Sequence, residues 1–133
     1  MSVGDLLTRI FKLKGFARFQ RKERISDATL RKAVVSVEAG LVDADLGGGL
    51  VKQRLARAGQ GKSGGYRTVL AIRQGDRAVF LYGFAKSERS NIDYDELEEF
   101  RRLARGFLGL TAQQIATLIA DNELMEVTND EDR

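Results

Sequence analysis

Apolar and basic residues alternate through Arg9-Ile10-Phe11-Lys12-Leu13-Lys14, and a period of two predicts a short strand. The pattern then changes. Phe16 and Phe19, followed by the basic stretch Arg21 to Arg24, predict a short helix. Leu30, Val34 and Val37 recur at helical spacing and predict a second helix. It begins near Ser26 or Asp27, whose side chains can accept first-turn amides, and stops at Gly40. The two together read as an N-terminal helical hairpin.

From Leu46 the pattern turns to strands. Gly47-Gly48-Gly49 breaks the chain, and Leu50 to Arg57 follows with basic side chains at every second or third position. Gly59 to Gly65 reads as a long glycine-rich hairpin loop, and Tyr66 to Ile72 as a strand of β-branched and aromatic residues. Gln74-Gly75-Asp76-Arg77 is a turn. Ala78 to Gly83 has no charged position and reads as a strand buried on both faces. These segments predict a small antiparallel meander.

The rest returns to helix. Asp93-x-x-Glu96 and Thr111-x-x-Gln114 have capping-box spacing. Leu97, Phe100, Leu103, Ala104 and Phe107 give one core stripe, and Ile115, Leu118 and Ile119 another. Leu124 to Val127 predicts a last short strand. The fold class is therefore α+β: a helical hairpin, a small antiparallel sheet, then C-terminal helices. The 133 residues are one domain's worth, with residues 1–8 and 128–133 expected to be flexible.

Composition narrows the chemistry. Apolar residues are 43% and charged residues 31%, as in a soluble globular domain. The absence of cysteine removes thiolate nucleophiles and disulfides, and the absence of histidine removes the usual general base and metal ligand. Any reaction must run on Lys, Arg, Asp, Glu, Tyr, Ser or Thr, with no metal or other cofactor expected. No run of eighteen apolar residues suggests a membrane span, and the N-terminus lacks a secretory pattern, so a cytoplasmic location is expected. Residues 1–90 hold 18 Lys and Arg against 8 Asp and Glu, whereas residues 91–133 hold 4 against 11. That asymmetry predicts a basic body for a polyanion and an acidic C-terminal part turned elsewhere.

Ala56 to Ser63 fits a relaxed phosphate-loop pattern, but such a loop works only between a strand and a helix. Here Gly64-Gly65 and a strand-like run follow, so no nucleotide cofactor is expected. The basic residues make better sense as one surface. Lys52 and Arg54 are two apart and share a strand face. Arg67 opens the next strand across the loop that carries Lys62, and Lys86 and Arg89 follow the third strand. Paired in sequence order, these cations converge on one sheet face with little opposing acid. The competing reading is that edge strands carry cations to prevent aggregation. That explains one strand well and three successive elements less well.

Three segments, Gly48 to Arg54, Gly59-x-Gly61-Lys62-Ser63-Gly64-Gly65-Tyr66-Arg67 and Tyr82 to Ser90, resemble the RelE/HigB-type toxins of bacterial type II toxin–antitoxin systems, within the RelE/ParE superfamily. The likeness runs from about Arg9 to Val127. It implies a microbial-ribonuclease-like fold and a ribosome-dependent, metal-independent mRNA endonuclease. In that chemistry the 2′-hydroxyl attacks the adjacent phosphate, leaving a cyclic phosphate and a 5′-hydroxyl. By the resemblance, Lys52, Arg54, Arg67 and Lys86 are the catalytic candidates. Lys52 or Arg54 would serve as base, Arg67 would hold the scissile phosphate, and Lys86 would sit near the leaving oxygen. Arg57, Lys62, Tyr66 and Arg89 are the expected RNA contacts. The family's arginine after the third-motif lysine is Ser87 here, and its later aromatic falls on Asp93, with Tyr94 next. The implied partners are mRNA, the ribosome and a cognate antitoxin of the helix-turn-helix type. A ParE-like gyrase inhibitor and a non-catalytic RNA-binding regulator of the same fold remain alternatives. Retention of the four catalytic cations favours the nuclease.

Overall fold

The computed structural model describes residues 7–57 and 61–128, with the backbone alone for residues 56–57 and 61–64. The described chain runs β1 (Arg9–Leu13), α1 (Lys14–Lys22), α2 (Asp27–Glu38), β2 (Ala44–Gly47), β3 (Leu50–Arg57), β4 (Gly61–Arg73), β5 (Arg77–Ala85), α3 (Tyr94–Leu108), α4 (Ala112–Ala120) and β6 (Leu124–Val127). These strands form one sheet in the order β2-β3-β4-β5-β1-β6. The fold is α+β and its sheet is mostly antiparallel. The exception is β1, which lies parallel to β5 and antiparallel to β6.

The sheet is the middle of three layers. Its strands alternate side chains between faces, and both faces are apolar over most of their length. On one face Phe16 of α1 and Leu30, Val34 and Val37 of α2 cover Ile10, Val51, Leu55, Leu70 and Phe80. On the other, α3 and α4 bring Phe100, Leu103, Ala104, Phe107 and Ile115 over Phe11, Leu50, Val69, Ala71, Val79 and Leu81. Each fully buried Phe or Leu contributes about 1.5–3 kcal/mol by removal of apolar surface from water. β5 lies between both helical layers and is buried along nearly its whole length, as its uncharged sequence predicts.

The helix boundaries follow side-chain chemistry. Ser26 Oγ accepts from Thr29 N at the start of α2, and Gly40, with φ +88°, follows its end in a conformation open to glycine. Asp93/Glu96 and Thr111/Gln114 form complete capping boxes on α3 and α4. The expected hairpin differs from what forms. α1 packs chiefly on β5 and α2 on β3, so they are successive helices seated on different strands. A polar knot ties α1 to the start of α2: Lys12 Nζ donates to Gln20 Oε1 (2.7 Å) and Asp27 Oδ1 (2.9 Å), and Gln20 Nε2 donates to Asp27 Oδ1 (2.7 Å).

The sheet is also larger than the expected meander. β2 runs into the first glycine of the triplet, Gly47, where a break alone was expected. β4 begins at Gly61, so most of the glycine-rich stretch is strand and Arg57 pairs with Gly61. The expected flexible ends fall partly outside the described residues. Thr8 is inside them, buried, with its hydroxyl donating to Glu38 at 2.5 Å. Among the described residues no helix is long and apolar enough to cross a membrane.

Candidate functional site

Strand register arranges the α3 side of the sheet in rows. Leu50, Ala71 and Val79 are partners across β3, β4 and β5 and form an apolar row in the core. One step along lie Lys52, Val69 and Tyr82. The next row is Arg54, Arg67 and Phe84. The face thus passes from apolar core to a cationic row within four residues of β3. Two arginines stand directly opposite each other, an arrangement that is repulsive unless something offsets it.

Asp43, just before β2, supplies an offset. Its Oδ2 lies 3.4 Å from Arg67 Nε and its Oδ1 lies 3.7 Å from Arg54 Nη2. Arg67 is 7% exposed and also reaches the Tyr66 carbonyl at 3.5 Å, whereas the Arg54 side chain is 40% exposed. Lys52 Nζ points toward Asn91 Oδ1 at 3.4 Å, longer than a well-made hydrogen bond. The row therefore carries an opposing carboxylate, contrary to the expectation of little opposing acid. Its guanidiniums nevertheless keep donors that short protein bonds do not consume.

Arg89 closes the row on the Phe84 side. Its guanidinium carbon lies 5.4 Å from the Phe84 ring centre and 5.9 Å from that of Tyr82. Glu96 receives Nη2 at 2.5 Å and Nη1 at 3.0 Å, the Tyr82 hydroxyl receives Nη1 at 3.1 Å, and the Asn91 carbonyl receives Nε at 2.9 Å. The bonds to Glu96 first, and then to the Tyr82 hydroxyl, raise the pKa of Arg89. The Arg89 guanidinium, with help from the Asp93 N–H, holds the Glu96 carboxyl below its ordinary range. Arg89 is thus a brace that ties the segment after β5 to the start of α3.

The other expected contacts fall elsewhere. Lys86 is exposed in the turn after β5, and its backbone N–H donates to the Gly65 carbonyl at 3.1 Å. Tyr66 is 3% exposed on the opposite face, in contact edge-on with Phe19, and its hydroxyl donates to Glu23 Oε1 at 3.0 Å. Its period-two position relative to Arg67 puts it in the α1/α2 core and away from the cationic row. The side chains of Arg57 and Lys62 lie outside the described residues. Asp43, Asn91, Glu96 and the aromatic pair Tyr82–Phe84 belong to the site, and sequence reading missed them as members. For Glu96 the capping box was the available signal; Asp43 offered none beyond its charge.

A cationic row on a sheet face, with a buried arginine opposite a half-exposed one, defines a surface suited to a phosphate-bearing polymer. Guanidinium forks bind phosphate oxygens by short charge-assisted bonds. Residues 8–127 match the family model described as the RelE toxin of the RelE/RelB toxin–antitoxin system. The chain belongs to that family of toxins, which implies an antitoxin as its partner. No individual curated protein sequence gave a match.

Proposed function

We propose that this toxin is an endoribonuclease that cuts mRNA on the ribosome without a metal ion. The observation that carries the reading is the Arg54–Arg67 cross-strand pair with Lys52 on the same face. In the proposed reaction the 2′-oxygen forms a bond to phosphorus, the P–O5′ bond breaks, and a proton leaves the 2′-hydroxyl as another reaches the departing oxygen. Arg67 holds the phosphate and stabilises its developing charge. Lys52 or Arg54 assists removal of the 2′ proton, and Lys86 supplies a cation near the leaving oxygen. With no histidine in the chain, these are the groups on hand for proton transfer. Among the described residues, no three Asp or Glu side chains gather into a metal-binding group. The proposed partners are translating ribosomes with their message and a helix-turn-helix antitoxin, and the proposed location is the cytoplasm.

The test is to incubate the purified protein with translating ribosomes and a defined message, and to characterise the ends formed. Products with 5′-hydroxyl and cyclic-phosphate ends are expected, and cutting should survive a chelator level that leaves ribosomes intact. An intact message alongside inhibited gyrase would instead support the gyrase-inhibiting branch of the fold. An intact message with retained RNA binding would point to a regulator.

A further inference from the structure

The carboxylate opposite the cationic row is held there by the other face of the same strand. Gln53 stands between Lys52 and Arg54 on β3 and projects to the opposite side, where it is 6% exposed. Its Oε1 accepts from Asp43 N at 3.0 Å and its Nε2 donates to the Leu41 carbonyl at 2.9 Å. One strand thus presents two cations and, through the residue between them, fixes the segment that returns a carboxylate to those cations. The Asp43 contacts of 3.4 and 3.7 Å are inside ion-pair range but outside the usual hydrogen-bond range of about 2.7–3.2 Å. The carboxylate attracts both guanidiniums without occupying their donors.

We infer that Asp43 is a built-in counter-ion, which offsets the repulsion between Arg54 and Arg67 in the free toxin and stays beside them as a competing charge when RNA binds. This rests on reading the row as the RNA site. Two directly opposed guanidiniums repel, and Asp43 offsets that repulsion and keeps them facing the same way. A phosphodiester can make charge-assisted bonds of about 2.7–2.9 Å to both arginines, stronger than the loose Asp43 pairs. RNA therefore binds the open donors while Asp43 stays in place. The net affinity for RNA is lowered by the carboxylate left nearby, so the toxin holds RNA less tightly than its cations alone would.

The inference is tested by the affinity of a labelled, single-stranded 2′-O-methyl oligoribonucleotide, which lacks the attacking hydroxyl and is not cut by this chemistry. Binding is measured at fixed low salt for the wild type, Asp43→Asn, Asp43→Ser, Asp43→Glu and Arg67→Ala. Asp43→Asn and Asp43→Ser should bind at least about threefold more tightly, because one like charge beside the phosphate is gone. Asp43→Glu should stay near wild type and Arg67→Ala should bind more weakly. A purely structural role for Asp43 would weaken binding in the first two variants. Unchanged or weaker binding in both, with Arg67→Ala still impaired, overturns the counter-ion role alone. Unimpaired binding by Arg67→Ala overturns the reading of the row as the RNA site, and the counter-ion role falls with it.

Discussion

Arg67 and Arg89 carry the same side chain near the same surface and have different work. Arg89 is held by a carboxylate, a phenol and a carbonyl, with two aromatic rings beside it, whereas Arg67 has a carboxylate at 3.4 Å and a carbonyl at 3.5 Å. The first is committed to structure, and its partner Glu96 makes that commitment visible in acid. The ordinary carboxyl value for Glu96 is 4.5, and the folded chain holds it lower. On acidification the unfolded chain therefore takes up this proton first. The stabilisation is complete above about pH 4.5 and is lost as pH falls through the lower folded value. Thermal unfolding across that range should show a shallower acid decline for Glu96→Gln than for the wild type, by a small amount because the pair is partly exposed and screened. Identical acid limbs would contradict the brace. Lys52 and Arg54 were legible as face-mates because a strand's period of two needs no other information. Their meeting with Arg67 was less so, because the pairing register across β3 and β4 is settled by tertiary packing as well as by the turn between them. Tyr66 was expected as an RNA contact from the resemblance, and the same period sends it to the face opposite Arg67.

Among the elements, those with local causes were readable. The two capping boxes and Gly40 as a stop depend on a few neighbouring residues, and helix boundaries formed where those residues stand. The parallel β1–β5 pairing was not readable, because it depends on a partner strand distant in the chain; β2 pairs with the adjacent β3, and its four residues ending in glycine carry little strand propensity of their own. The run from Gly61 to Gly65 reads as loop on propensity, yet it continues β4, and Gly61 pairs with Arg57 of β3. Gly83 on β5 has a packing reason instead. A Cβ there would stand 2.5 Å from Phe19 Cε2 and 3.1 Å from Phe16 Cε1. Those rings pack on each other, on Phe80 and on Tyr66, so they have little room to withdraw. Gly83→Ala should lower unfolding free energy by about 1–3 kcal/mol, the usual cost of overpacking, as measured by denaturant titration. A change below about 0.5 kcal/mol would mean that α1 can shift from the sheet more easily than this packing implies.

Over the molecule as a whole, the uneven charge of the sequence becomes a juxtaposition. The acidic C-terminal part was expected to turn away from the basic body. Instead its first helix begins beside the site, where Glu96 grips Arg89, while Glu98 and Glu99 pair with Arg101 and Arg102 along α3. The cationic row is thus bordered by the acidic first turns of α3, whose Glu96, Glu98 and Glu99 are paired with arginines. The most direct test of that row as an active site compares Lys52→Ala and Arg67→Ala with the wild type on translating ribosomes carrying a defined message, each variant first matched for thermal unfolding. Each substitution should slow cleavage by at least about tenfold, or about 1.4 kcal/mol of transition-state stabilisation, while unfolding stays close to wild type. Wild-type cleavage rates in both folded variants would contradict the assignment.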